Sequence, residues 1–230
     1  MTKQLQYYEK AVPVSPQRHG DWSLEARNGY EYADHSNSVP LAAAEFAAAA
    51  GDYAIVFVGS GKAVQPAVVL GLKPDENLYV DDQGKWDARY IPAFVRRYPF
   101  VFAKTGDDKL TLCIDEEHVG WNQAGRGNKL FDGEGKGSEF LDKMFGFATE
   151  YQRQFDATLA FCRKLEELEL LEPMTARFKL PSGEKAQLTG FLAIDRDKLR
   201  ALPGDKLAEL AKTGELELMY LHLQSLRSMD

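Results

Sequence analysis

Residues 77–102 read NLYVDDQGKWDARYIPAFVRRYPFVF, and this stretch sets the architecture expected of the rest. Residues 77–80 alternate Leu78 and Val80 with polar neighbours in the manner of a short strand. Asp81, Asp82, Gln83 and Gly84 supply a turn, because aspartate hydrogen-bonds its own backbone and glycine takes positive φ at little cost. Pro92 fits the first turn of a helix, and that helix places Tyr90, Phe94 and Arg97 near one face. Pro99 stops it and biases Tyr98 toward an extended backbone, so a second strand follows through Phe102. Trp86, Tyr90, Arg96, Arg97 and Tyr98 thus share one aromatic and basic corner. Such a corner suits a carboxylate or phosphate ligand, or a protein interface rich in Arg and Tyr. The competing structural reading pairs the arginines with Asp81, Asp82 or Asp87, and the closeness of those carboxylates favours it. Trp86 then serves as a packed anchor of the turn.

Outward from this corner, residues 53–59 (YAIVFVG) form a β-branched and aromatic run fit for a buried central strand. Residues 64–72 read as its hairpin partner, and 99–103 with 110–114, around a turn at 105–108, as a second hairpin. The short connections favour antiparallel neighbours. Pro40 opens an alanine-rich helix, PLAAAEFAAAA, with Ser38 as its cap and Gly51 beyond its end. Residues 1–38 read as an extended arm whose aromatics, Tyr7, Tyr8, Trp22, Tyr30 and Tyr32, pack on the body. Residues 115–137 are rich in glycine and read as a long loop, of the kind that is usually functional or mobile. From Ser138 a helix carries one apolar stripe through Phe140, Met144, Phe147, Tyr151, Phe155, Leu159, Cys162, Leu165 and Leu168, ended by Pro173. A hairpin around PSGEK and helices starting at Asp195, Gly204 and Glu215 complete the chain. The fold expected is α+β: a mainly antiparallel sheet, one long helix packed across it, and a small helical C-terminal unit. The corresponding division is 1–38 arm, 39–172 α+β core, and 173–230 hairpin and helical unit.

The chain has 230 residues, 44% of them apolar and 27% charged, which is ample for a real core. Its 28 basic and 35 acidic residues give a net charge of −7. A nucleic-acid binder needs a basic stripe to displace counterions, so nucleic acid is not an expected partner, nor is an anionic membrane surface. Cys113 and Cys162 each sit in an apolar setting and read as reduced core thiols. No stretch has the apolar core of a signal peptide or the length of a membrane span. The cytoplasm is the default location, with surface association open only through a route that cleaves no N-terminal signal.

No catalytic motif in the sequence is strong. GEGKGS at 133–138 precedes a helix, but Gly137 separates the lysine from the serine, so it reads as a hinge rather than a phosphate loop. The run from Cys113 to His118 ends a strand. Asp115, Glu116 and His118 are candidate metal ligands there, and Glu117 with His118 a candidate acid–base pair. Charge runs are ordinarily exposed, and the favoured reading is a solvated loop with no metal and no cofactor. His222, flanked by Leu221 and Leu223, reads as a capped or partner-contacting residue rather than a ligand.

Three segments carry a family resemblance: GLKPDENLYVDDQGKWDARYIPAFVRRYPF, LCIDEE, and FLAIDRDKLRALPGDKLAELAKTGELELMYLHLQSL. They resemble the bacterial SapC family of surface-layer-associated proteins over about residues 39–225. The most specific pieces are YIPAFVRRYPF and GELELMYLHLQSL. The resemblance implies a non-enzymatic structural or protein-interaction role, with a protein partner or self-association, and brings no catalytic residues. The alternative is a cytoplasmic enzyme or small-ligand-binding protein with a cleft at the 115–137 loop.

Overall fold

A computed structural model describes residues 5–25, 29–105, 109–179 and 185–229. The apolar run in the middle of the chain forms β4 (Ile55–Val58), which lies at the centre of a five-stranded antiparallel sheet. Its neighbours are β5 (Gln65–Val69) and then β3 (Ser38–Pro40) on one side, β11 (Lys185–Ile194) and then β10 (Leu171–Lys179) on the other. Both faces of β4 are covered, which is why its sequence does not alternate with polar residues. Ile55 and Phe57 enter the main core, while Val56 joins a smaller cluster with Ala67, Ala176 and Phe191. A second sheet has three strands, with β7 (Lys109–Asp115) between β1 (Ala11–Pro13) and β6 (Phe100–Thr105). A third, small sheet sets β2 (Ser23–Leu24) between β8 (Trp121–Asn122) and β9 (Asn128–Lys129). The N-terminal segment therefore contributes strands as well as packed aromatics.

The helices are α1 (Pro16–His19), α2 (Phe46–Ala49), α3 (Ala93–Arg96), α4 (Glu139–Glu167), α5 (Arg196–Ala201), α6 (Gly204–Lys212) and α7 (Glu215–Ser225). The expected α+β class, long helix and C-terminal helical unit are all present. No helix among the described residues is long and apolar enough to cross a membrane. Ser138 caps α4, its hydroxyl accepting from the Leu141 amide at 3.2 Å. The first half of α4 packs through Leu141 and Ala148 on Phe100, Leu112, Ile114 and Phe131. The second half buries Tyr151, Phe155, Phe161, Cys162 and Leu165 in the main core with Phe46, Ile55 and Phe57. One helix thus ties two hydrophobic clusters together. Cys113 and Cys162 are buried and unpaired.

Several local expectations are corrected. Pro173 does not end α4, but lies inside β10. The helix stops earlier because Glu169 adopts a left-handed conformation (φ 53°) and the Leu170 amide returns to the Leu165 carbonyl at 3.0 Å. Ser38 is no helix cap, since it pairs with Val69 in β3. The alanine-rich segment shrinks to a single 3₁₀ turn and α2, because the buried Glu45 carboxylate folds back on it. That carboxylate accepts from the Ala42 amide at 2.9 Å, the Ala93 amide at 2.7 Å and the Tyr90 hydroxyl at 2.7 Å. Residues 77–80 are not a strand. Asn77 instead donates to the Ala33 carbonyl at 2.8 Å and accepts from the Tyr79 amide at 2.9 Å, leaving only an isolated bridge between Val80 and Trp86. The turn at 81–84 forms as read, with Asp81 accepting from the amides of Gln83 and Lys85 and Gly84 at φ 74°. The turns expected at 106–108 and 181–184 lie outside the described residues.

The C-terminal helices are anchored by one imidazole. Strand β11 meets β4 through the pair Leu192↔Phe57, and two positions along that register Ile194 would face Ile55. His222 of α7 takes the place of the missing hydrogen bond between them. The Ile194 amide donates to its Nε2 at 3.1 Å, so its Nδ1 carries the hydrogen that goes to the Ile55 carbonyl at 2.9 Å. Ser225, one turn on, accepts from the Ile55 amide at 2.9 Å. These contacts satisfy backbone groups that the parted strands leave orphaned.

Burial pushes the His222 pKa down to about 4, against the smaller opposing effect of the Ile55 carbonyl. A base depressed in the folded state binds its proton more readily when unfolded. Its stabilising contribution is therefore complete above about pH 6.5 and is lost as pH falls toward 4. Over that window the loss amounts to about 3 kcal/mol at most, at about 1.36 kcal/mol per pH unit. Urea unfolding of wild type should show this slope between pH 6.5 and 4, and His222→Gln should flatten it while lowering stability at pH 7. An unchanged slope in the variant would contradict the assignment.

Candidate functional site

The aromatic corner is built where α3 runs into β6. Tyr98 follows the helix, the Tyr98–Pro99 peptide is cis, and Phe100 begins pairing with Ile114 of β7. This places Tyr98 beside Asp115, the last residue of β7. Asp115 is fully buried, contrary to the expectation of a solvated charge run. Its Oδ1 accepts from the Lys10 amide at 2.8 Å and the Glu117 amide at 3.3 Å. Its Oδ2 accepts from the Tyr98 hydroxyl at 2.9 Å and the Glu9 amide at 3.2 Å. A buried carboxylate is tolerated only when so satisfied. Burial foremost, and then the neighbouring Asp115 carboxylate, push the Tyr98 phenol far above its ordinary pKa, so it remains a donor.

Glu116 turns the other way, toward α1. It meets Arg18 Nη2 at 2.6 Å, Lys10 Nζ at 2.9 Å and His19 Nε2 at 3.0 Å. Burial alone would raise its pKa, but these hydrogen bonds outweigh it and hold the carboxyl at about 2. The candidate metal set of Asp115, Glu116 and His118 is therefore split between two sides of the strand end. Among the described residues no three His, Cys, Asp or Glu side chains group to hold a metal ion.

The arginines do not make the ion pairs expected with Asp81, Asp82 or Asp87. Asp81 is committed to its own turn, and Asp52 takes Arg89 at 2.8 Å. Arg97 is buried, with its guanidinium 4.3 Å from the Phe94 ring centre and 4.9 Å from that of Tyr151. Arg96 is exposed and lies over Tyr90 and Phe147, its Nε donating to the Ile91 carbonyl at 2.8 Å. Trp86 is the packed anchor expected: its Nε1 donates to the Tyr53 hydroxyl at 2.7 Å, and Tyr53 in turn donates to the Tyr90 carbonyl. Trp86, Tyr90 and Arg97 thus belong to the structure behind the corner.

In front of the corner the surface is concave. Two adjoining hollows share Gly29, Tyr32, Tyr98 and His118. The larger has about 940 Å³ of empty space, open solvent included, and is further lined by Glu9, Glu31, Asp115, Glu117 and Val119. The smaller, about 570 Å³ on the same measure, reaches Leu24, Glu25, Tyr30 and Arg96. Tyr98 stands in the common wall, its ring centre 4.4 Å from that of Tyr32 and 5.1 Å from that of His118. Of the candidates read from sequence, Tyr98, Asp115, Glu117, His118 and Arg96 come together here. Glu9, Glu31 and Tyr32 were not anticipated in the cleft. The density of aromatics in the arm signalled packing, but not which of them would face outward. The 115–137 segment is pinned beneath by β8 and β9, where Gly127 (φ 82°) passes so close to β2 that a Cβ would lie 2.2 Å from the Leu24 carbonyl oxygen.

Asp115 therefore serves to hold the arm, the corner and β7 together. Asp115→Asn replaces an acceptor with an amide that faces donors, and should cost about 1–3 kcal/mol in urea unfolding. Tyr98→Phe removes one donor of several and should cost about 1 kcal/mol. No cost for Asp115→Asn, or a cost below that of Tyr98→Phe, would show that the carboxylate does not carry the junction.

No curated protein and no solved structure matches the chain. The family model described as SapC does match, over residues 14–230, from the segment entering α1 to the end of the chain. By that match the chain belongs to the SapC family.

Proposed function

We propose that this chain is a non-enzymatic interaction protein that recognises a partner protein through the cleft in front of Tyr98, in the setting of the bacterial surface layer. The observation that carries the reading is the division of labour at the corner. The deepest acid, Asp115, and the Tyr98 hydroxyl are consumed by internal hydrogen bonds, while aromatic rings and rim charges line the cleft. Tyrosine and arginine within a polar rim are typical of recognition surfaces. Val119 stands on the rim at 69% exposure, an apolar contact offered outward. The second reading, a small ligand in the same cleft, draws on its cavity volume of about 450 Å³ once open solvent is left out, which falls in the range of small-molecule sites.

Site-specific photo-crosslinking in the source cells separates these readings. A photoreactive residue in place of Val119 should yield one discrete protein adduct, identified by mass spectrometry, and the same residue at exposed Leu78 should not. Adducts of equal yield at both positions, or none at Val119, would contradict recognition at this cleft. Protease treatment of intact cells tests the setting: digestion places the protein at the surface, and full protection removes the surface-layer part of the proposal.

A further inference from the structure

We propose that the cleft takes an extended peptide segment of the partner that offers a lysine or arginine side chain to the larger hollow and a carboxylate to Arg96. This rests on the reading of the cleft as a protein-recognition surface and names the chemistry of what enters it.

The charge around the groove is not uniform. Glu9, Glu31, Asp115 and Glu117 line the larger hollow, and Arg96 stands in the smaller one beyond the shared wall of Tyr32, Tyr98 and His118, with Glu25 there already engaged by Arg126 at 3.2 Å. Asp115 is satisfied from within, but the rim acids are not. Glu117 meets Lys10 only at 4.0 Å, and Glu9 and Glu31 enter no ion pair among the described residues. Low-dielectric walls around like charges focus the field on whatever occupies the hollow, so a cation is favoured and an anion opposed. The wall adds a second attraction of the same sign. Tyr32 and Tyr98 stand with ring centres 4.4 Å apart and planes inclined at 34°, offering aromatic surface on which an ammonium or guanidinium can rest.

Arg96 supplies the opposite pole. Its guanidinium is braced by the Ile91 carbonyl and the Tyr90 hydroxyl at 3.4 Å, yet it is exposed and faces the smaller hollow. A braced guanidinium is suited to a carboxylate. Two poles joined by an aromatic wall exceed what a simple amine would use. A peptide with basic and acidic side chains spaced along it satisfies both ends, and Val119 at the rim gives its backbone or a neighbouring apolar residue a contact.

The test uses the full chain and isothermal titration calorimetry in low salt. The probes are acetylated, amidated peptides with one lysine and one aspartate separated by one to four glycines. One spacing should bind, and norleucine in place of its lysine should weaken binding at least about tenfold, or about 1.4 kcal/mol. The double variant Glu9→Gln, Glu117→Gln should lose the same factor for the lysine peptide and show no difference between lysine and norleucine. Arg96→Gln should erase the preference for aspartate over asparagine. All three residues are exposed, and amide spectra of the variants confirm the fold. Equal binding of the norleucine peptide, or no binding by any spacing at millimolar concentration, would overturn the proposal. If peptides fail while the Val119 adduct is still found, the peptide chemistry is wrong and the recognition surface stands. If both fail, both readings fall.

Discussion

The Asp115 carboxylate is the constraint on which the front of the molecule depends. Four donors converge on it: the amides of Glu9, Lys10 and Glu117 and the hydroxyl of Tyr98. They come from the N-terminal arm, from the turn after β7 and from the corner after α3. A buried charge without such partners would cost several kcal/mol, so arm and corner must close on it together. Tyr98, once fixed, becomes the post against which Tyr7, Tyr8, Tyr32 and His118 pack. The cleft is a consequence of that closure.

A similar device recurs at the back. His222 and Ser225, on one face of α7, satisfy Ile55 where β4 and β11 part, and Glu45 ties the alanine-rich turn to Tyr90 and Ala93. In each case a buried polar side chain from a distant part of the chain stands in for a missing backbone partner. Such groups must be fully satisfied, and this makes the junctions specific. Between them, the two halves of α4 bring two hydrophobic clusters into register.

This pattern explains how much was legible in the sequence. Local signals read well: the β4–β5 hairpin, the Ser138 cap and stripe of α4, the Asp81–Gly84 turn and the Asp195 cap all formed. They depend on residues close in sequence, where propensity and periodicity act. Elements set by long-range polar contacts did not read well. Asn77 gave up a strand for the Ala33 carbonyl, Glu45 shortened a helix, and Asp115 left the solvated loop assigned to it. Of the corner residues Trp86, Tyr90, Arg96, Arg97 and Tyr98, only Arg96 and Tyr98 reach the cleft. Neither arginine pairs with Asp81, Asp82 or Asp87; Arg96 lies over Phe147 and Arg97 over Phe94.

The division at the corner bears on function because it separates what holds from what is offered. Buried groups are committed to the junction, and the rim of Glu9, Glu31, Glu117, Arg96 and Val119 is exposed on a rigid frame. Pre-organised rims bind with less ordering cost than loops that must fold on contact. The most direct measurement is native-state hydrogen exchange resolved to single amides. The amides of Glu9, Lys10 and Glu117 should exchange in one cooperative opening with those of Leu112 and Ile114 in β7, at a common free energy. Exchange at Glu9 and Lys10 orders of magnitude faster than at Ile114 would show an arm that opens by itself, and the Asp115 junction would not be what frames the cleft.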